Sequence, residues 1–425
     1  MPEILTSETL DLKKLLKPGD NVLWGQACGE PQTLTEALVE QRAAVAPITV
    51  YLGAGFSSTL KPEHSDHIKM MGFGAVGTTR RLTKGGALHI IPCHIGQVAS
   101  YIDQGVVPCD VAFLQVPPPF EDGTYSFGLI SDYTRTLVNK ARTVIVEVND
   151  QVPQTDCPDR LSPDDIDYLI HSSRPAPTLE AGPIGDLDRA IAKHTAEYIE
   201  DGSVLQIGIG AVPDAVMQLL LDRRDLGVHT GSVGDGLVEL IEKGVVTNAR
   251  KPIDQGVSIA GGLIGSQRLY TFAHRNPVIS MRPSSYTHSS DILSKLPKLV
   301  TINSALEIDL SGQVNAEQVG DAYVGGVGGQ PEFVRAGHRS EGGHSIMALS
   351  STAKGGSMSR ICARLTSPVV TSPRTDVDVV VTEHGAAELR GQTFAERAKR
   401  LIAIADPKFR EDLDREAQVI YKRGY

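Results

Sequence analysis

The most constraining feature of the chain is a series of short, almost wholly apolar runs separated by helix-like stretches. The runs include NVLWG (21–25), ITVYLGAG (48–55), DVAFLQV (110–116), TVIVEV (143–148), SVLQIGIG (203–210), SIMAL (345–349) and VDVVVTE (377–383). A strand with one wet face alternates apolar and polar residues. A run apolar throughout fits a parallel strand covered on both faces. Between the runs, TLTEALVEQRAAV (33–45), PDAVMQLLLDR (213–223) and FAERAKRLIAIA (394–405) carry apolar residues at helical spacing. The alternation predicts layered α/β architecture.

The length of 425 residues suggests more than one domain. Hydrophobic residues at 41% supply a full core. A net charge of −10 argues against a nucleic-acid surface. No apolar run reaches the ~18 residues of a membrane span, so no membrane association is expected. The opening MPEILTSETLDLKKLL lacks the basic-then-apolar order of a signal peptide. Cys28, Cys93, Cys109, Cys157 and Cys362 are scattered and contain no CxxC. That usage predicts a reducing, cytoplasmic setting with neither a disulfide framework nor a zinc site.

A faint repeat runs through the chain. DNVLWGQACGEP (20–31) resembles GSVLQIGIGAVP (202–213), LTKGGALHIIPC (82–93) resembles TAKGGSMSRICA (352–363), and CDVAFLQV (109–116) resembles VDVVVTEH (377–384). The common order predicts two related α/β domains, the second carrying a long insertion across about 229–330. SSRPAPTLEAGPIGDLD (172–188) reads as the linker, which sets the domains at 1–180 and 188–425.

Generic motifs exclude several chemistries. There is no GxxxxGK[ST] and no GxSxG. Glu63-His64-Ser65-Asp66-His67 has the spacing of a polar loop. The glycine loops are more informative. Gly208-Ile209-Gly210-Ala211-Val212-Pro213 follows a strand and opens a helix, where bare amides favour anions. Gly325-Gly326-Val327-Gly328-Gly329-Gln330 lets backbone close on a ligand or present amides to an oxyanion. Ser351-Thr352-Ala353-Lys354-Gly355-Gly356 sets a cation beside a flexible loop.

Together these stretches resemble the acetyl-CoA hydrolase/transferase family, near the 4-hydroxybutyrate CoA-transferases. The similarity is carried by GIGAVPDAV (208–216), LGVHTGSVGDGLVELIEKGVVTN (226–248), NSALEIDLSGQVNAEQVG (303–320), GGVGGQPEFVRAG (325–337), STAKGGSMSRI (351–361) and VTEHGAAELRG (381–391). GQACGEPQTL (25–34) and VNDQVPQT (148–155) extend it more loosely to the front half. The resemblance implies two open α/β domains of the CoA-transferase superfamily (NagB/RpiA-like), with the active site between them. It implies a homodimer or dimer-based oligomer acting on acyl-CoA and a small carboxylate, with coenzyme A entering as substrate and no metal. It assigns Gly208, Gly210, Ala211 and Pro213 to the CoA site. Gly326, Gly328, Gly329 and Gln330 would lie against the thioester, and Lys354 near the CoA tail.

Such enzymes use a glutamate nucleophile directly after His-Thr in an HTExxxDG segment. It forms acyl-glutamyl anhydride and glutamyl-CoA intermediates in turn. Here the segment reads His229-Thr230-Gly231-Ser232-Val233-Gly234-Asp235-Gly236, so Gly231 stands where the glutamate is expected. Glycine cannot form an anhydride. Three readings follow. A substitute carboxylate, from Asp235, Glu239, Glu307 or Glu30, sustains transfer. Alternatively, water takes the vacated space and hydrolyses a CoA ester, at the thioester or at an activated carbon–carbon bond, with His229, Asp235 or Glu30 as base. The third reading is a CoA-ester binder without chemistry.

Overall fold

The computed structural model describes residues 2–6, 8–180 and 182–422. Its frame is two eight-stranded sheets. The first contains β1 (Glu3–Leu5), β2 (Asn21–Trp24), β3 (Ile48–Leu52), β4 (Ile68–Gly72), β5 (Leu88–Ile90), β6 (Val111–Val116), β7 (Thr143–Asn149) and β8 (Tyr168–Ser172). Their order is β1-β8-β7-β6-β2-β3-β4-β5, and every pairing is parallel. Every residue of β6 and β7 is buried, as their largely apolar runs predict, with Gln115, Glu147 and Asn149 buried among them. One face packs Leu34, Leu38, Val50 and Phe113, and the other packs Val98, Leu114, Leu137 and Val146.

The second sheet contains β9 (Val204–Ile207), β10 (Gly227–Val233), β11 (Ser258–Leu263), β12 (Ile279–Met281) and β13 (Leu299–Asn303). Strands His344–Ala348, Val379–Thr382 and Gly385–Glu388 complete it. The order is β12-β11-β10-β9-β13, then those three in sequence. Only the last pairing is antiparallel. Set β9 on β2 and the two orders coincide: β10–β12 take the places of β3–β5, and β13 that of β6.

The two domains are therefore topological repeats, but their correspondence differs from two of the three sequence matches. The 20–31/202–213 match does align β2 with β9. The partner of β6 is β13, whereas 377–384 forms the strand that answers β8. Residues 229–330 are also no simple insertion, because they supply most of β10 and all of β11–β13. Short, strongly apolar parallel strands resemble one another whatever their place in a sheet, so local similarity could not fix the register of the repeat.

The strand order reverses direction beside β2 and β9, the crevices where open α/β sheets take ligands. The loops Gly25–Pro31 and Gly208–Pro213 leave from those strands. The domains join through backbone. Ser131 N–H donates to Gly261 carbonyl at 2.9 Å and Leu263 N–H to Leu129 carbonyl at 2.8 Å. Ala75 N–H donates to Gly325 carbonyl at 2.6 Å, and Ile95 N–H to Gly328 carbonyl at 3.0 Å. The front domain thus lies directly over the end of β11 and over the second glycine loop.

Candidate active site

The site grows from the end of β10, whose sequence is GVHTGSV. Strand alternation puts His229 and Gly231 on one face. The short helix Ser284–Thr287, after β12, covers that face. His229 is fully buried, and its Nε2 lies 3.0 Å from Thr287 carbonyl. A carbonyl only accepts, so Nε2 carries the proton. Burial and the nearby Lys251 ammonium pull His229 down to about 4, keeping it neutral. His229 therefore props the turn that carries the next residue, His288.

His288 fills the space above Gly231. A side chain leaving Gly231 would meet its Cε1 and Nε2 at 3.0 Å and Phe333 at 3.7 Å. On its other side the ring abuts Gly329, where any Cβ would overlap Nε2. Phe333 packs on the ring, with centroids 4.6 Å apart. Burial, with His229 beside it, pulls His288 down to about 3. The position of the expected glutamate is covered by an uncharged imidazole that bridges β10 and the glycine loop. The amides of Gly326, Val327 and Gly329 have no acceptor among the described residues, so they are free to face a developing oxyanion.

Two carboxyls accompany the imidazole. Glu332, in the first turn of helix Gln330–Arg339, packs with His288 against the bare Cα of Gly96. Gly96 N–H lies 3.4 Å from its Oε2, and burial raises Glu332 to about 7. Gly96, Ser284, His288, Glu332 and Arg335 line one cleft of about 840 Å³. Asp132 reaches from the front domain over Gly261, the neighbour of Gly231 on β11. Gln26 donates a short hydrogen bond to it, yet burial raises it to about 7.

The residues singled out in the sequence are only partly brought together. The Gly208–Pro213 loop adjoins the end of β10: a side chain at Gly234 would touch Ile209 at 3.4 Å. Space beside Gly208 and Gly210 is open, Gly210 has φ +123°, and Ala211 and Pro213 lie in the first turn of the following helix. Gly326 approaches the backbone of Gly74, Gly328 has φ +55°, and Gln330 bonds Ser304 carbonyl and the Ser372 hydroxyl. Asp235 accepts from Ser266 amide and hydroxyl at 2.8 and 2.7 Å, a loop tie. Glu239 is half-buried on the helix that follows. Glu307 is held by Asn315, Thr366 and Ser367. Glu30 lies under β2 and β3 with Thr35 and Ser57, and burial raises it. Lys354 stands exposed at a hairpin tip.

His288, Asp132 and Glu332 carried no signal in the sequence. His288 within SSYTHSS and Asp132 within SDYTR stand in no recognised motif, and Glu332 merely follows the glycines. Among the described residues no cluster of three or more His, Cys, Asp or Glu is arranged to hold a metal. No helix there is long and apolar enough to cross a membrane.

Two parallel sheets of like strand order, with glycine loops at their switch points, define the fold of the CoA-transferases. Residues 6–180 match the acetyl-CoA hydrolase/transferase N-terminal domain and residues 265–417 its C-terminal domain. The chain is 36% identical to 4-hydroxybutyrate coenzyme A transferase of Clostridium kluyveri, over 97% of each. It is 36% identical to succinyl-CoA:cyclohexane-1-carboxylate CoA transferase of Geobacter metallireducens, over 95% of this chain and 93% of that one. The crystal structure of RipA from Yersinia pestis superposes with a TM-score of 0.93 at 32% identity, covering 99% of this chain and 98% of that one. The chain belongs to the acetyl-CoA hydrolase/transferase family and is an acyl-CoA-processing enzyme.

Proposed function

We propose that the enzyme hydrolyses a CoA ester, with water in the role that the family resemblance gives to a glutamate. The observation that carries this reading is the imidazole packed over Gly231. Any side chain at that position would press on His288 from its Cβ. Water needs far less room and can be activated by a neighbouring base. Attack on the thioester carbonyl gives a tetrahedral oxyanion beside the free amides of the Gly326–Gly329 loop. Such donors are worth about 3–4 kcal/mol each in comparable sites. Collapse releases the acid and CoA. The Gly208–Pro213 loop, with its open glycine faces, is the proposed seat for CoA.

Transfer is the second reading, and Glu332 favours it. It is the carboxyl of the cleft that packs beside His288, and would have to attack as the carboxylate. The test is incubation with acetyl-, butyryl-, 4-hydroxybutyryl- and succinyl-CoA, with and without acetate. Acceptor-independent thiol release supports hydrolysis. New acyl-CoA formed only with acetate, with a borohydride-sensitive enzyme adduct, establishes transfer and overturns it. Loss of the acyl-CoA with CoA still esterified locates the cleavage at a carbon–carbon bond instead.

A further inference from the structure

Helix Ser284–Thr287 leads into a hydrogen-bonded pair, Thr287 and His288. The Thr287 hydroxyl faces Pro283 carbonyl at 3.4 Å, and that oxygen can only accept. The closer partner of Thr287 Oγ1 is His288 Nδ1, 2.8 Å away, in a hydrogen bond in which either atom can hold the proton. A neutral imidazole carries one proton, so whenever Nδ1 donates to Thr287 Oγ1, Nε2 is left with its lone pair. This nitrogen lies between Gly231 and Gly329. The end of β10 and the glycine loop therefore meet at this nitrogen. Two of its neighbours are already engaged: His229 Nε2 by Thr287 carbonyl, and Thr287 Oγ1 by Pro283 carbonyl and His288 Nδ1.

The ring is also held rigidly. Phe333 packs against one side, the two glycines remove all side-chain bulk from the others, and the ring lines the cleft while remaining 7% exposed. Glycine at both 231 and 329 is required by this placement, since a Cβ at either would press on the ring.

We propose that His288 is a catalytic residue, the general base that takes the proton from the attacking water, an assignment that rests on the hydrolytic reading above. As the water oxygen bonds to the thioester carbon, its proton moves to Nε2 and the carbonyl electrons move to oxygen. As the C–S bond breaks, the electron pair leaves with sulfur and Nε2 returns the proton to the thiolate. The products are the free acid and CoA thiol, with His288 restored. Thr287 is a positioning residue that holds the tautomer.

The test uses the full-length enzyme and the acyl-CoA that it hydrolyses fastest, followed by thiol release without acceptor. His288→Gln preserves much of the bulk, and His288→Ala opens a hole for added imidazole. Expected is a fall in kcat of about 10²–10⁴-fold with KM within about threefold. Imidazole should restore activity to His288→Ala only. Thr287→Val should lower kcat, with a smaller loss than His288→Gln. If His288→Gln folds, by circular dichroism, and hydrolyses within threefold of the natural enzyme, the assignment is overturned. If the natural enzyme releases no thiol without acceptor, the hydrolytic reading fails and this role falls with it. A natural enzyme that is active beside an unaffected variant sinks the role alone.

Discussion

The His288 imidazole lies 3.0 Å from where a side chain would leave Gly231. The two residues are 57 positions apart in sequence, on β10 and after β12, and share one space. That relation dictates how the position responds to substitution. Gly231→Glu alone should press on a ring packed against Phe333, so it is expected to fold less stably and to gain little acyl exchange. Gly231→Glu with His288→Ala vacates that space. The pair is expected to form the covalent CoA adduct and exchange CoA with acetate. Mass spectrometry of both proteins after acyl-CoA checks this, and an adduct on the single variant alone would contradict the steric account.

The pH dependence should report Glu332 rather than His288. His288 is held to about 3, so it is already the neutral base across the usual assay range. Glu332 titrates near 7 in the same cleft. Below that pH it is neutral. Above it, a negative charge stands beside the forming oxyanion. Hydrolysis is therefore expected to fall several-fold as pH rises from 6 to 8, and Glu332→Gln should flatten the profile. A rate that climbs through pH 7 would make Glu332 the base instead.

Asp132 should make stability itself pH-dependent. Burial raises it from 3.8 to about 7, so between those values the folded state binds more protons than the unfolded state. Stability from this group is greatest below about pH 4, is lost as pH rises through the interval, and stays reduced above 7. Asp132→Asn removes the titration. Thermal melts should show the variant gaining on the natural protein between pH 5 and pH 7.5. A gap that is constant with pH would mean that Asp132 is not buried in this way.

Asp235 should matter for folding more than for chemistry. Its carboxylate ties the Ser266 amide and hydroxyl. Asp235→Ala leaves both donors unpaired, a loss of about 1–3 kcal/mol. A lower urea midpoint is expected. Asp235→Asn keeps one acceptor and should recover part of it, whereas a catalytic carboxylate would show no such rescue.

The sequence by itself determined the layered architecture, the glycine loops and the absence of a carboxylate at 231. These are local facts: runs of β6 and β7 apolar on both faces can only be covered parallel strands, and a glycine has no side chain in any fold. Tertiary structure decided the rest. It set the correct register of the repeat, turning an expected insertion into β10–β13. It separated Glu30, Glu307 and Lys354 from the end of β10. It also brought an imidazole from SSYTHSS, an aspartate from SDYTR and a glutamate from PEF around it. Periodicity records which face of an element is buried. It does not record which distant loop arrives to cover that face, and here the groups nearest Gly231 came from three such segments.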